Sequence, residues 1–217
     1  MESVRDDPHE PYIILQFNPN NSEQTQVYAE IDKQSEVLRW MLPSTASTPK
    51  ELDWLTRESY LDPENPRQLF PVADRRGNIL GWVQYKPDEE QRIDDVKKQI
   101  DIPDDSIVLE ISYAKLFGRS PDSLSGDDFQ SHGKSIPMNG NPGVAINGVK
   151  QTLEILHERE ALISKAANKP SRKIVVTAYT DLGNQASESV LRKNGFQPLP
   201  ENIDYGGEAN KAWVRFV

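Results

Sequence analysis

Gly143-Val144-Ala145 opens a helical pattern downstream of a strand-like run, Asp105-Ser106-Ile107-Val108-Leu109-Glu110-Ile111-Ser112-Tyr113-Ala114, across a polar loop. Such a junction can hold phosphate. The first N–H groups of a helix have no intrahelical partner, the helix dipole puts partial positive charge at the same end, and glycine lets an anion approach. Gly-x-Ala before a helix is equally an ordinary capping arrangement, so the junction allows an anion site without requiring one. Other reactive chemistry is scarce. There is no cysteine, which excludes a thiolate nucleophile, a disulfide or a zinc–thiolate centre. The three histidines are dispersed, His9 in a polar tail, His132 in a loop and His157 on a helix, so no metal cluster is expected.

The elements that must position this junction follow from hydrophobic periodicity. Upstream, Tyr12 to Phe17 reads as a strand ended by Asn18-Pro19-Asn20-Asn21. A helical pattern from Ser22 and Thr25 carries Val27, Ile31, Val37 and Leu38 at helical spacing as far as Trp40, and Pro43 stops it. Thr48-Pro49-Lys50-Glu51 is a second helix start, with Leu52 and Leu55 on its apolar side. Strands at 69–73 and 79–85 flank Asp74 to Asn78 as a hairpin with a glycine at its turn. Residues 88–103 read as a charged helix with Ile93, Val96 and Ile100 on one side, and 116–140 as a long Ser/Asp/Gly-rich loop, either a lid or a mobile surface segment. Ile146, Val149, Leu153, Leu156 and Ile163 continue one face of the helix begun at Gly143, until Asn168-Lys-Pro170 ends it. Gly148 lies within that face, and close packing on a strand or a ligand is the reason to place glycine there. A strand at 173–179, a helix from Asn184 to Gly195 and a last strand at 212–217 complete the chain.

The 217 residues suit a single domain, and 36% hydrophobic content with 16 prolines and 12 glycines suits a globular fold with generous loops. No run approaches the roughly 18 apolar residues of a membrane helix, and the amino-terminal residues lack an apolar signal region, so a cytoplasmic protein without membrane contact is expected. The net charge of -9 opposes sequence-independent nucleic-acid binding and favours cationic partners such as amines.

The segment Asn184-Gln-Ala-Ser187-Glu-Ser-Val190-Leu191-Arg-Lys193-Asn-Gly195-Phe196, lying beyond a strand–Gly-x-Ala–helix unit, resembles the second cofactor segment of the GNAT superfamily of N-acetyltransferases. The likeness spans residues 12–217 and is strongest over 105–217, with 1–11 as a polar tail and 86–104 and 116–140 as insertions. Trp40-Met-Leu-Pro43 followed by the Thr-Pro-x-Glu start is similar to the branch that includes ribosomal-protein N-terminal acetyltransferases. The resemblance implies an α+β fold, with a mixed, mostly antiparallel central sheet flanked by helices and splayed between its two central strands. It also implies acetyl-CoA as cosubstrate without a metal, and an amine acceptor on a peptide N-terminus or a small molecule. Oligomeric state is left open, a dimer included.

By the same resemblance, pyrophosphate meets the helix start at Gly143, Val144 and Ala145. Gly140 replaces a customary long polar side chain and Pro142 removes a backbone donor, both of which weaken phosphate binding. Leu116 adds a coenzyme contact, and Asn184 and Ser187 reach the pantetheine arm, although asparagine is also a good helix cap. Glu110 occupies the strand position of a catalytic base, with a solvent-facing or salt-bridged glutamate as the alternative. The N–H of Ala114 is placed to polarise the thioester oxygen. Where many relatives carry a tyrosine acid this chain has Leu191, which leaves Tyr179, Tyr205, water or departure of the bare thiolate. Glu110 and the retained Asn184–Phe196 segment favour an enzyme; Leu191 and Pro142 favour a non-catalytic acyl-CoA-binding or protein-interaction domain, and a nucleotide-binding regulator rests on the helix start alone.

Overall fold

Strands form where β-branched and aromatic residues alternate between two faces, and here they assemble one mixed sheet. The computed structural model describes residues 11–18, 20–25, 27, 68–115, 143–166, 172–205 and 207–217. In chain order the elements are β1 (Tyr12–Ile14), β2 (Gln68–Asp74), β3 (Ile79–Pro87), α1 (Glu90–Lys97), β4 (Ile107–Lys115), α2 (Gly143–Ala166), β5 (Ile174–Asp181), α3 (Gln185–Lys193), β6 (Gln197–Pro198), β7 (Ile203–Tyr205) and β8 (Glu208–Phe216). The strand order is β1-β2-β3-β4-β5-β8-β6, with β7 also paired to β8. Every pairing is antiparallel except β4 with β5. The mixed, mostly antiparallel sheet inferred from the sequence is therefore the one observed.

Alternation along β4 and β5 decides which chemistry faces which layer. Leu109, Ile111, Ile174, Val176 and Ala178 share a core cluster with Val149, Leu153 and Leu156 of α2 and Val190 and Leu191 of α3. Both helices thus cover one face. Burying a side chain such as Leu153 contributes roughly 1.5–3 kcal/mol, which makes this stripe a principal anchor of α2. The opposite face is covered by α1 and its neighbours, where Val96 and Ile102 pack with Val175, Ile203, Ala212 and Val214. A third cluster joins Leu15, Phe17 and Val27 to Trp82 and Ala114.

Several expectations are refined. The hairpin turn is as expected, with Gly77 at φ 87° and the Asp74 carboxylate accepting from the N–H groups of Arg76 and Asn78. Gly148 is explained by strand packing, since a Cβ there would lie 2.8 Å from methyls of both Val72 and Val83. The charged helix is shorter than 88–103. It ends at Lys97 because Gln99 and Ile100 both turn back onto the carbonyl of Val96, Ile102 is drawn into the apolar cluster, and Pro103 disfavours a helical residue before it. The first strand runs over Tyr12–Ile14, with one further bond from the Leu15 N–H to the Pro71 carbonyl, and Gln151 of α2 accepts from the Ile14 N–H and donates to the Tyr12 carbonyl. The last strand begins at Glu208 rather than Ala212, since its early residues pair with β7 and β5. The helical patterns around Trp40 and from Thr48, the 116–140 loop, Leu116, Gly140 and Pro142 lie outside the described residues.

Candidate active site

The two central strands part company at a definite rung. β4 and β5 pair from Ile107↔Ile174 to Glu110↔Thr177, and no further. Beyond it, Ile111 to Lys115 remain paired to β3 alone, while Ala178 to Asp181 remain paired to β8 alone. This is the splay that the sequence resemblance implies. Backbone groups on the facing edges are thereby left free of each other, which is the opening a linear substrate needs.

The start of α2 sits beside the end of β4. Val144 and Ala145 are buried, and Gly81 of β3 makes the junction tight: a Cβ there would lie 2.6 Å from the Ala114 carbonyl oxygen and 3.1 Å from a Val144 methyl. Gly81 has no signature in the sequence, because only the tertiary approach of β4 and α2 demands it. On the α2 side of the splay, the Tyr113 hydroxyl donates to the Ser187 carbonyl at 3.1 Å, linking β4 to the first turn of α3. The Asn184 side chain accepts from the Ser187 N–H at 3.2 Å, so it is a helix cap in this state. Leu191 is fully enclosed in the core. Asn194, at the end of α3, donates to the Ile146 carbonyl and ties that helix to the start of α2.

Glu110 stands at the fork, on the α1 face, and it is not a solvent-facing strand residue. It is 5% exposed. Its Oε2 takes a 2.8 Å hydrogen bond from Arg92 Nη2 and lies 3.2 Å from Lys86 Nζ, while its Oε1 accepts from the Tyr205 hydroxyl at 3.2 Å. Arg92 also bonds Asp88 through Nε at 3.0 Å and Glu89 through Nη1 at 3.0 Å. The second oxygen of Asp88 accepts from Thr177 at 2.7 Å and from the Tyr179 hydroxyl at 2.5 Å. The Arg92 guanidinium lies 5.3 Å from the Tyr179 ring centroid and 4.5 Å from that of Tyr205, and the two rings are 5.2 Å apart. A planar five-donor fork is what permits one side chain to serve three carboxylates between two aromatic faces.

The electrostatics follow from that burial. Desolvation pushes the Glu110 carboxyl up, partly opposed by Lys86 and Arg92, and the balance lies above the ordinary carboxylate value. Burial and the neighbouring carboxylates raise both phenols, Tyr179 beside Asp88 and Tyr205 beside Glu110. Arg92 is held charged, Glu110 and Asp88 together outweighing the cost of burying it. The arrangement can therefore bind and release a proton at Glu110, while each phenol already donates to a carboxylate.

Sequence reasoning selected Glu110, Tyr179 and Tyr205, and these meet in one network. It missed Lys86, Asp88 and Arg92, although Asp88 and Arg92 at helical i, i+4 spacing on a charged segment were the available signal. Among the described residues no group of three or more metal-ligating side chains is placed to hold an ion, and no helix is long and apolar enough to cross a membrane.

Similarity to known proteins lies in the fold. No family model matches the sequence, and no curated protein does. Among solved structures, ribosomal-protein-S5-alanine acetyltransferase from Vibrio fischeri matches with a TM-score of 0.55 at 16% identity, covering 99% of this chain and 96% of that one. Aminoglycoside acetyltransferase AAC(6')-Ib in complex with coenzyme A matches at 0.56 and 10% identity over 94% of each chain. Spermidine N-acetyltransferase from Vibrio cholerae, in complex with CoA and spermine, matches at 0.52 and 11% identity over 95% of each. The chain has the GNAT fold.

Proposed function

We propose, from the premise of a GNAT fold, that the chain is a cytoplasmic N-acetyltransferase moving the acetyl group of acetyl-CoA to an amine. The carrying observation is the coincidence at one fork of a splayed parallel pair, a buried carboxylate at its last rung, and a helix start packed beside the end of β4. The proteins it resembles in fold are named acetyltransferases, for ribosomal protein S5 alanine, aminoglycosides and spermidine, two of them in complex with coenzyme A, all consistent with acetyl transfer to an amine. A peptide N-terminus and a small-molecule amine are the two acceptor classes to be tried.

In this proposal the coenzyme enters the splay, its phosphates meet Gly143, Val144 and Ala145, and its arm runs past Ser187 and Asn184 with Leu191 behind it; Leu116 adds a further contact. The Ala114 N–H, which the resemblance assigns to the thioester oxygen, points instead to β3, where Ala114 faces Trp82 in an unbroken ladder, so a donor on the splay side of β4 such as the Tyr113 N–H takes that part. Glu110 accepts the proton the amine must lose, the nitrogen attacks the thioester carbon, a C–N bond forms, and the C–S bond breaks to release the thiolate. A phenol raised by burial is a poor acid toward a thiolate, since free thiols ionise near pH 8.5. Solvent is therefore preferred over Tyr179 and Tyr205 as the source of the sulfur's proton.

The test is release of free thiol from acetyl-CoA in the presence of alanine-starting peptides, polyamines and aminoglycosides, together with a thermal shift by coenzyme A. At about 100 times its dissociation constant the ligand adds roughly 2.7 kcal/mol to stability. Gly143→Asp should abolish that shift by placing a carboxylate where the phosphates bind. Unchanged melting of the wild type at saturating coenzyme A would remove the coenzyme assignment. A shift without thiol release would favour the second reading, a binding domain without catalysis, for which the apolar, enclosed Leu191 is the specific observation.

A further inference from the structure

Glu110 cannot be approached equally from all sides. Lys86 from β3 and Arg92 from α1 both sit on Oε2, and both are bound cations that offer protons and accept none. Among the described residues the one hydrogen bond to Oε1 comes from the Tyr205 hydroxyl. The Glu110 side chain is 6% exposed, whereas Tyr205 is half-buried and stands at the end of β7, next to the β7–β8 turn. Beside it, the Asp204 carboxylate accepts from the N–H of Gly207, which sits at φ 89°. The Tyr205 ring is further fixed by the Arg92 guanidinium 4.5 Å from its centroid. Tyr179 is not equivalent, for its proton is given to Asp88 instead.

We propose that Tyr205 is the proton inlet to Glu110: the acceptor's nitrogen gives its proton to the Tyr205 oxygen as the Tyr205 hydroxyl proton passes to Glu110 Oε1. One N–H bond and one O–H bond break, and two O–H bonds form. The amine is left neutral, Tyr205 unchanged in charge and Glu110 protonated, so no other reactant is needed. This rests on the acetyltransferase reading and extends it to a residue that touches the acceptor. Burial of Glu110, which favours its protonated form, supports the direction of the transfer. The charged and titratable groups around the path are Lys86, Asp88, Glu89, Arg92, Tyr179 and Tyr205.

The experiment is a double-mutant cycle with Tyr205→Phe and Glu110→Gln in the full chain. Thiol release from acetyl-CoA is followed against pH with an alanine-starting hexapeptide, spermidine and kanamycin, and coenzyme A affinity is measured in parallel. Two groups on one proton path are not additive: each single variant should lose roughly 10²- to 10⁴-fold, and the double variant no more than the worse single one. Both losses should shrink as pH rises and free amine accumulates, with coenzyme A affinity unchanged. A purely structural Tyr205 would instead lower rate at every pH and shift coenzyme affinity or melting. Losses that multiply in the double variant, or a fully active Tyr205→Phe, would overturn the inlet while leaving the acetyltransferase reading intact. A wild type silent with all three amines would overturn both.

Discussion

Arg92 Nη2 lies 2.8 Å from Glu110 Oε2, across 18 residues of sequence and between two elements that no local rule joins. This contact closes a buried network in which two cations, Lys86 and Arg92, face two carboxylates, Asp88 and Glu110. The segment read from sequence as an insertion therefore supplies three of the four charges at the fork.

Arg92→Ala should be among the most damaging single changes. It leaves Asp88 and Glu110 buried without their shared partner, and breaking a buried pair from one side costs about 3–5 kcal/mol. Arg92→Lys should fall between, since a point charge cannot serve Asp88, Glu89 and Glu110 together. Urea denaturation measures both. A cost for Arg92→Ala within the roughly 0–1 kcal/mol of an exposed pair would show that the network contributes little.

Two carboxylates should give stability opposite dependences on pH. Glu110 is raised above its ordinary 4.5, so it binds a proton more tightly folded than unfolded. The stability it contributes is full below that value and is lost as pH rises through the raised one. Glu160 is lowered, because hydrogen bonds from Arg172 and Ser164 outweigh the penalty of burial. Its contribution is full above 4.5 and is lost as pH falls through the lowered value. Melting followed against pH should show Glu110→Gln flattening the decline above 4.5 and Glu160→Gln flattening the decline below it, with slopes of at most about 1.4 kcal/mol per pH unit each. The opposite assignment of limbs would contradict the geometry.

Gly81→Ala and Gly148→Ala test close packing in two settings. At Gly81 the new Cβ meets a backbone oxygen at 2.6 Å, which cannot move alone. At Gly148 it meets valine methyls, and roughly 1 kcal/mol of helix propensity offsets the crowding. With overpacking costing about 1–3 kcal/mol, Gly81→Ala should be the more destabilising and should weaken coenzyme A binding as well. Chemical denaturation and a coenzyme titration read the two effects, and a reversed order of stability would refute the contact argument.

Leu191→Tyr places a phenol in a fully enclosed core position. It should cost about 1–3 kcal/mol through overpacking, and it should not raise the rate of acetyl transfer if solvent protonates the thiolate. Acceleration by this substitution in a thiol-release assay would mean that the missing acid limits the wild type.

Local rules make much of the chain legible from its sequence. Asn184 could be named as a cap, Gly77 as a turn residue and 105–114 as a strand, observed at Ile107–Lys115, because capping, positive φ and period-2 alternation depend on neighbours in sequence. The motif from Asn184 to Phe196 carried the fold for the same reason, since its residues act within one helix and its end. Gly81 could not be read in this way, because its constraint comes from Ala114 and Val144, brought to it by sheet register and helix docking. Nor could the meeting of Lys86, Asp88 and Arg92 with Glu110 and Tyr205, which come from three separate segments. Sequence determined that Glu110 lies on a strand beside a helix start. Only the packing of α1 and β7 over that strand decided that the carboxylate is buried, clamped on one oxygen by two cations and open on the other to a single phenol, because side-chain alternation sets a face but not what covers it.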